Sequence, residues 1–249
     1  MNRRTALPLF IDLIALVLLW ALAASWLKLP FLPNPWAVFT TLLSELQGGL
    51  IPHINASVWR IFVSVGIGTL VAAPLAVVAA QWPLLDRFLT PLLYFAYPAP
   101  KIVFLPLIIL FLGLGNPSII FLITLVIFFQ VYVIVRDAAQ QVPPETLDSV
   151  KSLGARRRHL LRYVYWPLTL PAILTALKIS IGTAIAVLFI SESIGNNVGL
   201  GYYIVVEQWG RFAYTKMYAG VLAMSILGLL MFTLLSALER YWTRWQTRP

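Results

Sequence analysis

The chain has no cysteine and only two histidines among its 249 residues. Without thiols it forms no disulfide, no thiolate nucleophile and no cysteine-ligated metal site. Charge is scarce too: Asp, Glu, Lys and Arg together make up 11% of the residues. A soluble domain of this length needs about a quarter charged residues to dress its surface. The spacing G-x-x-x-x-G-K-[ST], which builds a phosphate cradle, occurs nowhere, so the chain cannot hydrolyse ATP alone. No period of roughly 20 to 50 residues marks a repeat architecture, and there is no low-complexity tract.

Apolar residues are abundant, at 60% of the chain with a mean hydropathy of +0.86. Lipid must cover most of such a surface, which predicts an all-α integral membrane protein. A spanning helix needs roughly 20 mostly apolar residues. Six segments qualify: 9–27, 60–80, 92–114, 118–135, 170–190 and 217–238. Pro98, Pro100 and Pro106 interrupt the third, which reads as kinked and packed in a bundle. The first has a rival reading. Arg3 and Arg4, an apolar run and Ala21, Ala23 and Ala24 also resemble a signal peptide, although the run is long for one. Either reading places residue 28 outside.

Orientation follows from the basic residues. With the N-terminus inside, the interior receives Arg3, Arg4, Arg87, Arg136, Lys151, Arg156, Arg157, Arg158, Arg162, Arg240, Arg244 and Arg248. The exterior receives Lys28, Arg60, Arg211 and Lys216. Twelve against four is a positive-inside bias that puts both termini in the cytoplasm. It also accounts for the net charge of +9 without a nucleic-acid partner. Outside, Trp36, Phe39, Leu42, Leu43 and Leu46 recur at helical spacing, as in a helix lying in the interface. The stretch "SESIGNNVGLGYYIVVEQWGRFAYTK" at 191–216 reads as a re-entrant or lid-like segment.

A cytoplasmic strip spans about 136–169. Pro143 and Pro144 suit the first turn of a helix, and Glu145 and Asp148 near its start complement the helix dipole. That helix is predicted over about 145–153, with Gly154 where a left-handed C-cap sits. A second helix is predicted over about 156–166, with Leu160, Leu161, Val164 and Tyr165 on one side and Pro167 closing it. An ordinary basic loop would need neither the acidic start nor the hinge glycine. The strip reads as a rigid knob offered to a cytoplasmic partner.

Polar groups at membrane depth are costly and default to function. Lys101 follows the Pro98–Pro100 kink, where freed carbonyls and a cation could line a water-filled path; snorkelling or a carboxylate partner is the ordinary alternative. Tyr97, Gln130, Ser191 and Glu192, with Gly199 and Gly201, complete the candidate pathway or gate set. Glu192 also suits an interfacial residue or a subunit contact. Lys178 is expected to snorkel inward. Gly66, Gly68, Ala72, Ala73 and Ala76 suit helix packing.

The strip resembles the EAA loop of ATP-binding-cassette importer permeases, E-A-A-x-x-x-G-A followed by a variable stretch and L-P. This chain reads "DSVKSLGA" at 148–155 and "LPAI" at 170–173. Gly154 and the Leu170 and Pro171 pair match. Asp148 stands for the glutamate, Ser149 and Val150 for the alanines. "LPNPWAVFTTL", "SVWRIFVSVGIGTLVAAPLAVVAAQWPLLDRFLTPLLYFAYPAPKIVFLPLIILFLGLGNPS" and "ISESIGNNVGLGYYI" are similar to the nitrate/sulfonate/taurine/bicarbonate branch, and together the matches cover most of residues 30–240.

The resemblance implies a type I permease fold of about six transmembrane helices, one domain over 1–249, in a bacterial inner membrane. It implies a pathway formed with a second permease copy, two cytoplasmic ATPase subunits carrying ATP and Mg, an external solute-binding protein, surrounding lipid, and no cofactor on this chain. Glu145, Asp148, Ser149, Val150, Lys151, Leu153, Gly154, Ala155, Arg156 and Arg157 would form the ATPase-coupling contact. The implied substrate is a small anion or sulfonate; a vitamin precursor or amino acid is the alternative within the class. A stand-alone channel and an intramembrane enzyme are the alternatives outside it. The enzyme would need a nucleophile and base on facing spans, and His53 and His159 fall on opposite sides of the membrane.

Overall fold

The computed structural model describes residues 3–194 and 196–244, with side chains from residue 11 onward. Expectations resting on the side chains of Arg3 and Arg4, on Gly195 and on Arg248 lie outside the described residues. No strand occurs among the described residues. The chain divides into two compact units, one of Met1–Ser57 and Glu192–Ile226, the other of Val58–Ser191 and Leu227–Pro249.

Among the described residues four helices are long and apolar enough to cross a membrane: α3 (Leu50–Gln81), α6 (Asn116–Gln140), the continuous run Arg157–Ser193 and α11 (Tyr214–Trp242). A fifth crossing is made if α4 (Pro83–Ala96) and the segment Lys101–Leu112, bent by 88°, count as one span. Helix α1 (Arg3–Leu27) includes a shorter apolar stretch, Ile11–Leu27. All six apolar segments are helical, so six spans is an approximate count.

In the first unit, Asn34 caps α2 (Pro35–Gly48) by accepting the Trp36 N–H at 2.9 Å, and Pro35 occupies the first turn, where a missing donor costs nothing. Val38 and Leu42 are buried while Trp36, Phe39 and Leu43 stay exposed, the division expected of an interfacial helix. The segment 191–216 is not a structureless lid. It folds into a turn, α10 (Leu200–Tyr202), running into a π-helical stretch over Tyr203–Trp209.

In the second unit α6 is the spine, burying Ile119, Leu122, Ile123, Ile127, Val131 and Val135. Gly68 of α3 lets it approach: a Cβ there would meet Ile127 Cγ2 at 2.9 Å and the Thr124 carbonyl at 3.3 Å. Gly66 has no such role, since nothing lies within 4 Å of the equivalent position. Arg60, expected outside, is 1% exposed within α3, and its Nε donates to Asn116 Oδ1 at 2.8 Å. The helix begins ten residues earlier than the hydropathy suggests, because the "LIPHINASVW" stretch is helical despite its polar residues.

Two further expectations are corrected. The third span starts at Pro83 and breaks sharply; α4 ends at Ala96, a 3-10 turn covers Lys101–Phe104, and α5 (Leu105–Leu112) leaves at the new angle. Pro98 and Pro100 each remove a donor from the helical ladder, and Pro100 itself is extended at φ −71° and ψ 102°, so α4 does not run on into α5. Pro167 does not close the basic helix. The short α8 (Arg157–Leu160) passes through a π-helical turn, Leu161–Tyr165, into α9 (Trp166–Ser193). A π turn widens the hydrogen-bond register just ahead of the proline ring, so the helix absorbs it and continues. Lys178, expected to snorkel inward, is paired. Its Nζ bonds Glu239 of α11, which also accepts from Thr175 Oγ1 at 2.9 Å.

Candidate functional site

Helix α6 runs on to Gln140 and the helix carrying Pro167 begins at Arg157, so of the strip at 136–169 only residues 141–156 lie between the two long helices. Within it lies α7 (Pro144–Ser152), with Pro144 in the first turn, Glu145 near the N-terminus and Lys151 in the last turn, each complementing the dipole. No residue of α7 is buried. Ser149 Oγ donates to the Glu145 carbonyl at 2.7 Å and Ser152 Oγ to the Ser149 carbonyl at 2.8 Å, so both hydroxyls are used within the helix. Lys151 pairs with Asp148 at 3.0 Å, but the side chains are 53% and 73% exposed, a geometry worth little in water.

Leu153 is 87% exposed at the end of the helix. Gly154 follows with φ +80°, a left-handed conformation that an L side chain resists, and its N–H closes on the Lys151 carbonyl at 2.8 Å. Beyond it the Arg156 N–H donates to His159 Nδ1 at 3.3 Å, capping α8, while Arg156, Arg157 and Arg158 stay exposed. On the opposite side of α8 and the π turn, Leu160, Val164 and Tyr165 are buried. The result is a short helix with an exposed leucine at its tip and basic residues behind, held on a buried apolar base.

The break between α4 and α5 holds the second group. Lys101 Nζ donates to the Ala96 carbonyl at 2.8 Å, which also accepts the Ala99 N–H at 3.3 Å, and to the Tyr97 carbonyl, both at the end of α4. It lies 4.5 Å from the Phe129 ring centroid and 5.5 Å from that of Tyr97. Tyr97, Lys101 and Gln130 line one cavity of about 320 Å3, with Thr183 and Val187 of α9. Gln130 Oε1 is buried there without a hydrogen-bond partner.

A third group sits in the first unit. Glu192 is fully buried and accepts from Ser57 Oγ at 2.8 and 2.9 Å and from the Gly201 N–H at 2.9 Å. Ser57 Oγ in turn accepts the Leu200 N–H at 2.9 Å. His53 Nδ1 lies 3.1 Å from the Gly199 amide nitrogen and its Nε2 lies 3.4 Å from Glu207. With the proton on Nε2, the ring accepts from Gly199 and donates toward Glu207. Glu192, Gly199 and Gly201 thus belong to one buried network with Ser57 and His53, which the sequence reading did not include. Ser191 is placed differently, bonding the Val187 carbonyl of its own helix at 2.7 Å.

Another cluster also escaped the sequence reading. Arg136 makes a two-point bond to Asp86, at 2.8 and 2.6 Å, and a third bond to Asp137 at 3.0 Å. Thr90 and Gln140 donate to Asp86 and Tyr94 donates to Asp137. The signal was present as three charges in otherwise apolar flanks, but which charge meets which depends on the packing of α4 against α6.

Residues 64–244 match the family described as binding-protein-dependent transport system inner membrane component. The chain belongs to this family. It is a permease component of an ATP-binding-cassette importer, a transport protein rather than an enzyme. The taurine transport system permease protein TauC of Escherichia coli (strain K12) is 30% identical over 98% of this chain and 91% of its own length. The putative aliphatic sulfonates transport permease protein SsuC of the same organism is 26% identical, over 93% and 89%. A chain of the MetNI methionine ABC transporter, solved in inward-facing conformations, superposes with a TM-score of 0.67 at 21% identity, covering 78% of this chain and 96% of that one. That likeness shows the type I importer permease fold. Several apolar helices in a family of this description make the chain a multi-pass membrane permease. No group of three or more metal-ligating side chains occurs among the described residues.

Proposed function

We propose that this permease forms the translocation pathway with a second copy of itself and is driven by two cytoplasmic ATPase subunits, each docking on one α7. An external binding protein delivers the substrate, a small organic or inorganic anion of the kind named for the taurine and sulfonate relatives. Both termini and α7 face the cytoplasm, in line with the positive-inside bias. ATP and Mg reside on the ATPase chains, consistent with the absence of a phosphate loop here.

The observation that carries the reading is α7 itself. A nine-residue helix that buries none of its own residues and ends on an 87%-exposed leucine gains nothing from its own fold. Such a surface is stabilised by a partner's groove, in the helix-in-groove mode, and the left-handed Gly154 fixes its angle. Motion of the ATPases then reaches the spans through α6 and α8, which flank α7 in the chain.

The test is a mild-detergent pull-down of the tagged chain from its native membranes, followed by mass spectrometry. A stoichiometric ATPase, with a binding protein trapped in some nucleotide state, is expected. Recovery without any ATPase, under conditions that keep known importers whole, overturns the proposal.

A further inference from the structure

Among the described residues, Lys101 is a cation with no acid bonded to it. Its ammonium has three donors. Two are taken by the Ala96 and Tyr97 carbonyls, which are neutral, and the Phe129 ring adds only the weak attraction of a π face. Other basic residues set among the spans are answered differently: Arg136 by Asp86 and Asp137, Lys178 by Glu239. Lys101 forms no such pair among the described residues. A cation in apolar surroundings without a counter-charge is costly, and evolution of a pure helix cap would be served by a neutral donor.

Two cavities meet at this side chain. One is the space of about 320 Å3 with Tyr97, Gln130 and Thr183 on its wall. The other is a cleft of about 500 Å3 lined by Phe104, Leu107, Ile108, Phe121 and Leu125, where Lys101 is the one charged residue. Ala99, Lys101 and Phe129 belong to both.

We propose that Lys101 is an anion-contacting, specificity-determining residue of the permease, binding an organic anion whose oxyanion head takes the third ammonium proton and whose apolar body occupies the adjoining cleft. The permease therefore reads its substrate after the binding protein has released it. The apolar cleft is what separates this from a site for an inorganic ion. An ion such as nitrate satisfies the ammonium but leaves the cleft unfilled, whereas a short alkyl chain beside the charged head gains by leaving water. The inference rests on the importer reading, because only a transported solute supplies such an anion.

Binding of tritiated butane-1-sulfonate to the purified full chain in lipid nanodiscs tests it, with no ATPase or binding protein present. Saturable binding is expected, with nitrate competing about tenfold more weakly or worse and the neutral butane-1-sulfonamide similarly weak. Lys101→Arg should stay within about threefold of the native chain, while Lys101→Gln loses about tenfold or more and ceases to distinguish the sulfonate from its sulfonamide. That loss of discrimination is not produced by mere damage to the α4 end. Should Lys101→Gln fail to fold, Leu125→Trp, which fills the cleft, is expected to weaken butane-1-sulfonate and spare nitrate. Absence of saturable binding at about 10 mM, native affinity and discrimination in Lys101→Gln, or equal binding of nitrate each overturns the proposal. An intact ATPase complex with no anion binding sinks this site alone. Anion binding without an ATPase partner sinks the importer reading instead.

Discussion

Ser57 and Glu192, 135 positions apart, share one buried exchange: the serine hydroxyl donates to both carboxylate oxygens, at 2.8 and 2.9 Å, while its oxygen receives the Leu200 amide. Both side chains have no solvent exposure. Removing either partner leaves buried polar groups with nothing to replace water. Glu192→Ala, which orphans the Ser57 hydroxyl and the Gly201 N–H, is expected to cost about 3 kcal/mol, and Ser57→Ala about 2 kcal/mol. Glu192→Gln keeps the shape and one acceptor and costs less. Thermal unfolding in detergent, with amide exchange at residues 199–201, measures this. Unchanged exchange in Glu192→Ala would show that the turn is held without the carboxylate, by Ser57 and His53.

Asp86 and Arg136 set up a different dependence. Their side chains are only 19% and 14% exposed, and the two-point geometry is the strong form of a charged hydrogen bond. Arg136→Ala leaves Asp86 and Asp137 facing each other without a cation and is expected to cost about 2–3 kcal/mol. Adding Asp86→Ala removes the repulsion, so the double variant should be more stable than the sum of the singles by about 1 kcal/mol or more. Arg136→Lys keeps the charge but not the fork and falls between. An additive cycle would mean that the pair contributes no coupling.

Some of this architecture was readable in the linear chain and some was not. Helix α7 was, because its start and stop signals are local: Pro144, Glu145 and Gly154 act within a few residues of themselves. Lys101 stood out as a charge in an apolar run. Its partners did not, since they are backbone carbonyls that exist only because α4 breaks at Ala96. Pro167 misled for the opposite reason: a proline ends a helix by default, and the π turn that accommodates it has no sequence signature. Arg60 was read only as an exterior charge and Lys178 only as a snorkelling one, because Asn116 and Glu239, which they bond, lie 56 and 61 residues away. Pairings at such distances are decided by helix packing and not by spacing.

Helix α3 offers a contrast between two glycines, Gly66 and Gly68, that point to opposite sides of the helix. Gly68→Ala drives a methyl to 2.9 Å from Ile127 Cγ2, and the nearby Thr124 carbonyl is backbone that cannot swing away. About 1–3 kcal/mol of destabilisation is expected. Gly66→Ala meets nothing within 4 Å and removes a helix-weakening glycine, so it should be neutral or stabilising by up to about 1 kcal/mol. Melting temperatures of the two variants in the same detergent decide the matter. Equal shifts would mean that α3 and α6 are not in close contact at Gly68.

Glu45 of α2 accepts from Lys216 Nζ at 2.8 Å and from the Tyr203 hydroxyl at 2.9 Å. Burial pushes its carboxyl up, but the Lys216 and Tyr203 bonds outweigh it and hold the group below the usual carboxylate range. A carboxyl lowered on folding contributes stability that is fully present above its unfolded value, about 4.3, and is lost as pH falls through the lower folded value. The native chain should therefore lose stability in acid more steeply than Glu45→Gln below about pH 4, with no difference in slope between pH 6 and 8. Parallel stability curves across the acid range would count against the pairing.

The coupling role of α7 turns on separating folding from transmission. Asp148 is 73% exposed and its pairing with Lys151 is worth little, so Asp148→Lys should change stability by no more than about 0.5 kcal/mol. Gly154→Pro forces φ from +80° to about −65°, removes the N–H bonded to the Lys151 carbonyl and re-aims the chain beyond the helix, although nothing lies within 4 Å of where a Cβ would stand. Gly154→Asn, which tolerates the left-handed region, should be milder. The expected pattern is native abundance in the membrane for all three, ATP-driven uptake reduced about tenfold or more in Asp148→Lys and Gly154→Pro, and partial uptake in Gly154→Asn. Because these residues bury nothing in the chain itself, lost uptake at native abundance can only be read at a partner's surface. Normal uptake in both severe variants would leave the exposed Leu153 and its helix without a role in coupling.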